Sequence, residues 1–443
     1  MDTNIRGWTF THWWVRPVVK VWFGLYHQSV SYSGQDHINW DHPIIFAPNH
    51  QNAFSDALCL ILPTSYTNNR FIYPLIRADA FGNNAALDWV LTTFHMMPVY
   101  RPRDRVNIKE KNDAVFQGCY DVLSQKRNLL IHPEGNCIAE KRVRPFKKGI
   151  ARIALGAEQQ YDFNLNLDII PTGINYRDIT EPRKGIHVQF GEPLSVANYQ
   201  KQYNEHRPSA LSQLTGDIQK GVEQLTVNIQ DRQHYEFLNH IMTVARSAHV
   251  DFAGRSHYSK EEVVQNKAIA HFTDDNPNTI TELKNYWRSL SELLDKYKLS
   301  FGLPLVVDQS VGRLVLEGFS LFLLFPLAIV GEVAGLLPWM GMQKIASAID
   351  EEQFKSSARM VSGLLLFPAN YLLEAVFVWW LSESWEWTLL CLIGLPLVSW
   401  LSLNFWERAK RWRQKVRLML LEDQKKEKLN TMLNKLRSLL KLD

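Results

Sequence analysis

The chain has 443 residues, 46% of them hydrophobic and 21% charged, with a net charge of +4 at neutral pH. That length exceeds one ordinary domain, and so slight a positive balance gives no case for nucleic-acid binding. The four cysteines, Cys59, Cys119, Cys137 and Cys391, lack paired spacing, which predicts a reducing compartment, no disulfide framework and no metal site.

Residues 1–34 begin with a polar stretch without the apolar core of a cleavable signal peptide. From Trp13 to Tyr26, the residues Trp13, Trp14, Val18, Val19, Val21, Trp22, Phe23 and Leu25 alternate with Arg16 and Lys20. The segment is too short and too charged to span a bilayer. It reads as an interfacial helix with aromatic anchors, the alternative being a helix that caps the core.

Residues 35–195 read as an α/β core. Strand-like runs at 43–47, 71–76, 97–100, 128–132, 168–175 and 186–190 alternate with helical patterns at 112–125 and 148–160, the rhythm of a mixed sheet covered by helices. The first strand, around Ile44, Ile45 and Phe46, ends at Pro48 and leads into Asn49-His50-Gln51-Asn52-Ala53-Phe54-Ser55-Asp56. Six helical steps turn through about 600°, so His50 and Asp56 lie about 120° apart on an unbroken helix and cannot pair there. They pair only if His50 sits in a loop and a helix starts near Asn52 or Ser55, both able to cap it. The acid then fixes the imidazole tautomer and leaves the other nitrogen to take a proton from a hydroxyl. The plainer alternative is an Asn/His loop running into a capped helix. No Ser, Thr or Cys stands in a nucleophile elbow, and Cys137 reads as incidental.

Three further strand ends carry chemistry. Met96-Met97-Pro98-Val99-Tyr100 ends in Arg101-Pro102-Arg103, and Asn128-Leu-Leu-Ile-His132-Pro133 ends in Glu134-Gly135-Asn136 before Lys141, Arg142, Arg144, Lys147 and Lys148. Ile169-Ile170-Pro171-Thr172-Gly173 is the last. Arginines suit a dianionic phosphate because the guanidinium can contact it through two bonds. Lys141 and Arg142 read as solvated surface charges, and Glu134 as either a hydroxyl acceptor or an ion-pair partner of the arginines.

Taken in this order, the four motifs resemble the four blocks of the PlsC-like glycerophospholipid acyltransferase family, over roughly residues 35–195. The resemblance implies His50 as general base and Asp56 as its partner. The family's usual spacing leaves four residues between the two, and here there are five, which is similar to the fungal-type glycerol-3-phosphate/dihydroxyacetone-phosphate acyltransferase branch and its bacterial relatives. By the same resemblance Arg101 and Arg103 contact phosphate, and Asn52, Glu134 and Gly135 join the substrate site. The arginine and serine that usually follow Glu134-Gly135 are replaced, so Arg144, Lys147 or Lys148 supplies any phosphate contact there. The implied reaction is O-acyl transfer from acyl-CoA or acyl-ACP, a co-substrate rather than a bound cofactor, to glycerol-3-phosphate or 1-acylglycerol-3-phosphate. Other acceptors (dihydroxyacetone phosphate, an amino-lipid, another lysophospholipid) and a non-catalytic lipid-binding protein are the alternatives.

Residues 196–300 are polar and helical in pattern, a helical extension with segments at 209–229, 236–248, from 259, and 279–297. Residues 314–406 form an α-helical transmembrane region. Thr388 to Phe405 is uncharged and long enough to cross. Met360 to Leu381 contains Asn370 and Glu374, which should face another helix. Gly318 to Gly331 lies between two glutamates and holds Pro326, so it is either part of a full span of Leu314 to Met340 or a re-entrant hairpin. Arg408, Lys410, Arg411, Arg413, Lys415 and Arg417 should stay cytoplasmic with the catalytic domain, which requires an even number of crossings. The expectation is two true spans, with the first apolar segment entering and leaving by one face. The tail at 407–443 has leucines at helical spacing among lysines and suits a surface-lying or self-packing helix.

Overall fold

The apolar runs become one eight-stranded mixed sheet with helices on its faces. A computed structural model describes residues 10–63, 71–82, 85–100, 108–244, 258–272, 280–299 and 310–440. The expected phosphate ligands Arg101 and Arg103 fall outside the described residues. The chain divides into one unit of Met1–Asn228, His257–Val263 and Glu352–Ser357, and a second of Ile229–Ser256, Val264–Glu351 and Ala358–Asp443.

The first unit runs α1 (Phe10–Tyr26), β1 (Val30–Ser33), β2 (Ile44–Pro48), α2 (Ala53–Ile61), β3 (Ile72–Arg77), α3 (Ala85–Thr93), β4 (Met97–Val99), α4 (Ile108–Ser124), β5 (Asn128–Leu130), α5 (Gly149–Gln160), β6 (Asp168–Tyr176), β7 (Ile186–Phe190), β8 (Leu194–Ser195), α6 (Gln200–Glu205) and α7 (Arg207–Leu225). The sheet order is β1-β7-β6-β2-β5-β3-β4, with β8 beside β6. Strands β2 to β6 run parallel to their neighbours, whereas β7 is antiparallel to β6 and carries β1 parallel at its outer edge. Central β2 is apolar at every position and buried at every position, as a parallel strand covered on both faces must be. Cys119, Val122 and Leu123 of α4, Ile150, Ile153 and Ala154 of α5, and Leu214 and Ile218 of α7 join Ile45, Leu129 and Ile169 in one core. Gly173 lets the end of α7 touch the sheet: a Cβ there would stand 2.4 Å from the Leu225 carbonyl oxygen. For this reason α7 belongs with the sheet rather than with a separate extension.

Two elements extend the sequence reading. The Val-Ser-Tyr-Ser strand β1 carries too little apolar signal to be read as a strand, yet pairing with β7 makes it one. Helix α1 caps the core with one face and leaves the other exposed. Val15, Val19, Phe23 and Tyr26 are buried, and Arg16 donates to the Ile61 carbonyl at 2.6 Å, while Trp13, Trp14, Val18 and Val21 stay exposed.

The remaining helices are α8 (Tyr235–Val244), α9 (Lys260–Ala270), α10 (Ile280–Lys296), α11 (Val311–Ser347), α12 (Glu352–Ser382), α13 (Trp385–Met419) and α14 (Asp423–Leu439). Three of these, α11, α12 and α13, are long and apolar enough to cross a membrane. The hairpin expected at Gly318–Gly331 is not formed, because α11 is a single helix of 37 residues, about 56 Å long, that continues through Pro326 and Pro338. A proline removes one helical hydrogen bond, and here neighbouring packing holds the helix together. Antiparallel α13 supplies it: Trp412 Nε1 donates to the Leu314 carbonyl at 2.8 Å, Lys415 pairs with Glu317 at 3.0 Å, and Ser399 Oγ donates to the Gly331 carbonyl at 3.2 Å. Asn370 faces a helix as expected, donating to the Ala334 carbonyl at 3.0 Å. The tail helix α14 packs on α10, with Tyr286 donating to the Met432 carbonyl at 2.8 Å.

Candidate active site

His50 lies two residues past the C-terminal end of β2, where the parallel strands deliver their loops. The preceding residue fixes the exit. Asn49 is fully buried, and its amide mimics a strand by donating to the Ile174 carbonyl at 3.0 Å and accepting from the Ile174 N–H at 2.7 Å. The backbone of His50 is held at both ends. Its N–H donates to Glu134 Oε1 at 2.8 Å, and its carbonyl accepts from Arg144 Nη2 at 2.8 Å. Helix α2 starts after Asn52, so the chain between histidine and acid is a loop and the pairing forbidden on a continuous helix becomes possible.

His50 Nδ1 meets Asp56 Oδ2 at 2.9 Å. The same oxygen accepts from the N–H groups of Gln51 and Asn52, both at 2.8 Å, and Oδ1 accepts from the Tyr176 hydroxyl at 2.6 Å. Asp56 is 0% exposed, whereas 18% of the His50 side chain remains open. Burial alone would raise the Asp56 carboxyl, but the His50 bond and charge, together with His132 and Tyr176, hold it below its ordinary value. Burial also opposes a charged imidazole at His50, and here Cys137 and Asp56 outweigh it, pushing this group up to about 10. A raised value makes a stronger base that is less often free of its proton at neutral pH.

His132 stacks on His50 with ring centroids 3.8 Å apart and planes 14° from parallel. Its Nδ1 donates to the Asn49 carbonyl at 3.2 Å, and its Nε2 is buried without a partner. Burial, with His50 beside it, lowers His132 to about 3, so it stays neutral under the catalytic ring. Cys137 is not incidental to the geometry. Its sulfur accepts from the Ala53 N–H at 3.1 Å, hydrogen-bonds the imidazole, and lies within 4.8 Å of the polar atoms of both His50 and Asp56. These three atoms form a donor set of metal-ligand type. Asp56 Oδ2 already takes three donors, so the arrangement is better described as a hydrogen-bonded cluster.

The expected substrate-contacting residues separate into two groups. Asn52 is fully buried, donating to the Ile179 carbonyl at 2.7 Å and to Ser356 Oγ at 3.2 Å, so it holds the loop from beneath. Glu134, 1% exposed, takes the ion-pair role: it bonds Arg144, which also donates to the Asn136 carbonyl at 2.8 Å. Burial raises the Glu134 carboxyl, and Arg144 and the His50 amide pull the other way. This clamp occupies Arg144. Gly135 turns at φ +72° with the Lys147 side chain against it, and Lys147 itself is exposed beside the turn. Lys148 donates to Ser212 Oγ at 2.7 Å. Lys141, expected at the surface, is buried and donates to the Arg177 carbonyl at 3.0 Å, where the end of β6 needs a donor. Arg142 pairs with Glu140 at 3.0 Å.

A family model described as Acyltransferase matches residues 29–175. Glycerol-3-phosphate O-acyltransferase 1 of Saccharomyces cerevisiae is 24% identical over 297 residues, 61% of this chain and 38% of the yeast protein. Glycerol-3-phosphate O-acyltransferase 2 of the same yeast is 29% identical over 124 residues, 28% of this chain and 17% of that protein. The chain thus matches well under two thirds of the length of either relative. The crystal structure of the 1-acyl-sn-glycerophosphate acyltransferase PlsC from Thermotoga maritima superposes with a TM-score of 0.34 and 17% identity, over 48% of this chain and 80% of that one. Residues 29–175, with the His50–Asp56 pair inside them, thus match an Acyltransferase domain, and the chain is similar to glycerol-3-phosphate acyltransferases.

Proposed function

We propose that this protein is a membrane-bound O-acyltransferase that moves a fatty acyl group from acyl-CoA or acyl-ACP to a hydroxyl of glycerol-3-phosphate or 1-acylglycerol-3-phosphate. The observation that carries the reading is the 2.9 Å contact between a partly open His50 and a fully buried Asp56. The acid fixes the imidazole so that its Nε2 takes the proton as the acceptor oxygen attacks the thioester carbonyl, and the imidazolium returns it to the departing thiolate. Direct attack needs both substrates bound together and no covalent enzyme intermediate. The similarity to two yeast glycerol-3-phosphate O-acyltransferases supports glycerol-3-phosphate as acceptor. Exposed Lys147 beside the Gly135 turn is a cation available to the acceptor phosphate, with Arg101 and Arg103 proposed to complete that site.

Three apolar helices support membrane attachment, with the exposed tryptophans of α1 resting at the lipid surface. The catalytic unit is placed on the cytoplasmic face, where acyl thioesters are made. The test incubates membranes containing the protein with labelled acyl-CoA and, separately, glycerol-3-phosphate, dihydroxyacetone phosphate and lysophosphatidate. Labelled product with a glycerol phosphate acceptor supports the reading, and His50→Ala should lower turnover about 10²–10⁴-fold. Equal product from wild type and His50→Ala would reject it.

A further inference from the structure

The turn from His50 to Asp56 passes through a non-glycine residue in a strained conformation, Ala53. Its φ is +32°, in the region that L residues avoid. Past this point the backbone amides no longer reach Asp56. Gln51 and Asn52 donate to the acid, but the Ala53 N–H goes to Cys137 Sγ at 3.1 Å and the Phe54 N–H to Ser357 Oγ at 3.1 Å. The Ser55 N–H then starts the helix on the Asn52 carbonyl at 2.9 Å. Every amide from 50 to 56 therefore has a partner, and three of them, those of His50, Ala53 and Phe54, depend on residues far away in sequence.

Ser357 comes from the second turn of α12, some 300 residues from the loop it holds. It is 8% exposed, and Ser356 beside it is 1% exposed. Ser356 Oγ accepts from Asn52 Nδ2 and lies 3.2 Å from the Tyr26 hydroxyl, which also meets the Ser356 carbonyl at 3.0 Å. Two buried hydroxyls at the start of an apolar helix are costly unless bonded, and both are spent on the turn between base and acid.

We infer that Ser357 is a positioning residue for the His50–Asp56 pair, assisted by Ser356 and, on the other side of the strained Ala53, by Cys137. The strained turn holds its catalytic shape only with the second turn of α12 against it, so a helix long enough to span a membrane is also part of the active-site support. This rests on His50 and Asp56 performing acyl transfer. Ser357 touches neither substrate, so its loss moves the base rather than the binding of acceptor or donor.

The test compares Ser357→Ala and Ser357→Thr in full-length protein. Ser357→Ala leaves the half-buried Phe54 amide without its Ser357 partner and should lower kcat about tenfold with little change in KM for either substrate. It should also move the ascending limb of the pH profile, because the His50–Asp56 distance sets that limb. Ser357→Thr keeps the hydroxyl and should return most of kcat. Adding Ala53→Gly to Ser357→Ala relieves the positive φ and should restore part of it. A readout independent of turnover is iodoacetamide labelling of Cys137 in a Cys391→Ser background, since Cys59 and Cys119 are fully buried. Labelling should quicken with Ser357→Ala and not with Ser357→Thr. Unchanged kcat, pH limb and labelling in Ser357→Ala would overturn the inference while leaving the acyltransferase reading intact. So would a loss shared equally between kcat and KM with the pH limb unmoved. Absence of acyl transfer by wild type with every acceptor would instead reject that reading, whatever the labelling showed.

Discussion

Asp56→Asn isolates the charge of the acid from its shape. In the protein, Oδ2 takes three donors at 2.8–2.9 Å and Oδ1 a fourth from Tyr176 at 2.6 Å. Asparagine fits the same space but is neutral, and its NH₂ group must face the Tyr176 hydroxyl. Bonds to a charged acceptor contribute about 1.5–3 kcal/mol against about 0.5–1.5 for neutral ones, so the resting His50 contact weakens by roughly 1 kcal/mol. The larger loss falls in the transition state, where the ring has taken the acceptor proton. Two unit charges 2.9 Å apart attract by about 6 kcal/mol at an effective dielectric constant of 20, which sets a ceiling. Losing about half or more of this predicts kcat lower by about 10²–10⁴-fold. The pH dependence has a definite sign. The base works only without its proton, so the wild-type rate rises with pH as the raised His50 group deprotonates. Asp56→Asn withdraws a cause of that rise, so the limb moves to lower pH while the plateau falls. Thiol release from acyl-CoA in the presence of glycerol-3-phosphate, followed from about pH 6 to 10, measures both quantities. A loss below about threefold with the limb unmoved would refute the role given to the acid.

Arg144→Ala should destabilise by about 3–5 kcal/mol, because it leaves the buried Glu134 charge unpaired. Thermal unfolding checks this, and adding Glu134→Gln should recover part of the loss if charge rather than packing is responsible. His132→Phe keeps a flat ring beneath His50 and removes a buried nitrogen without a partner, at the expense of the bond to the Asn49 carbonyl. Its kcat should stay within about threefold of wild type, since the unpaired nitrogen and the lost bond each amount to about 1 kcal/mol and oppose one another. A hundredfold loss in steady-state assays would show that His132 takes part in proton transfer.

What the sequence revealed was local. An apolar run ending at Pro48, followed by His50 and two possible helix caps before Asp56, contains the whole geometric argument for the pair. Contacts made by folding were out of reach. Tyr176 is 120 residues from Asp56, Ser357 is 303 from Phe54, and no periodicity joins them. Charge misled in a consistent way. Arg144 reads as one of three candidate phosphate cations and Lys141 as a surface residue, and in the fold one clamps the His50 carbonyl and the other ends β6. A cation following an apolar strand serves a backbone oxygen as readily as a phosphate. In α11, Pro326 suggested a break, but a helix packed along its length on α13 tolerates the missing bond.

Thiol chemistry gives Cys137 a practical side. A peroxide that converts its half-open sulfur to a sulfenic acid adds a polar oxygen to the atom that accepts from the Ala53 amide and lies within 4.8 Å of the polar atoms of His50 and Asp56. Enzyme stored in air should fade while still folded, recover with dithiothreitol at that first stage of oxidation, and fail to recover once sulfinate has formed. Preparation history would then explain differences in specific activity between batches that look identical on a gel.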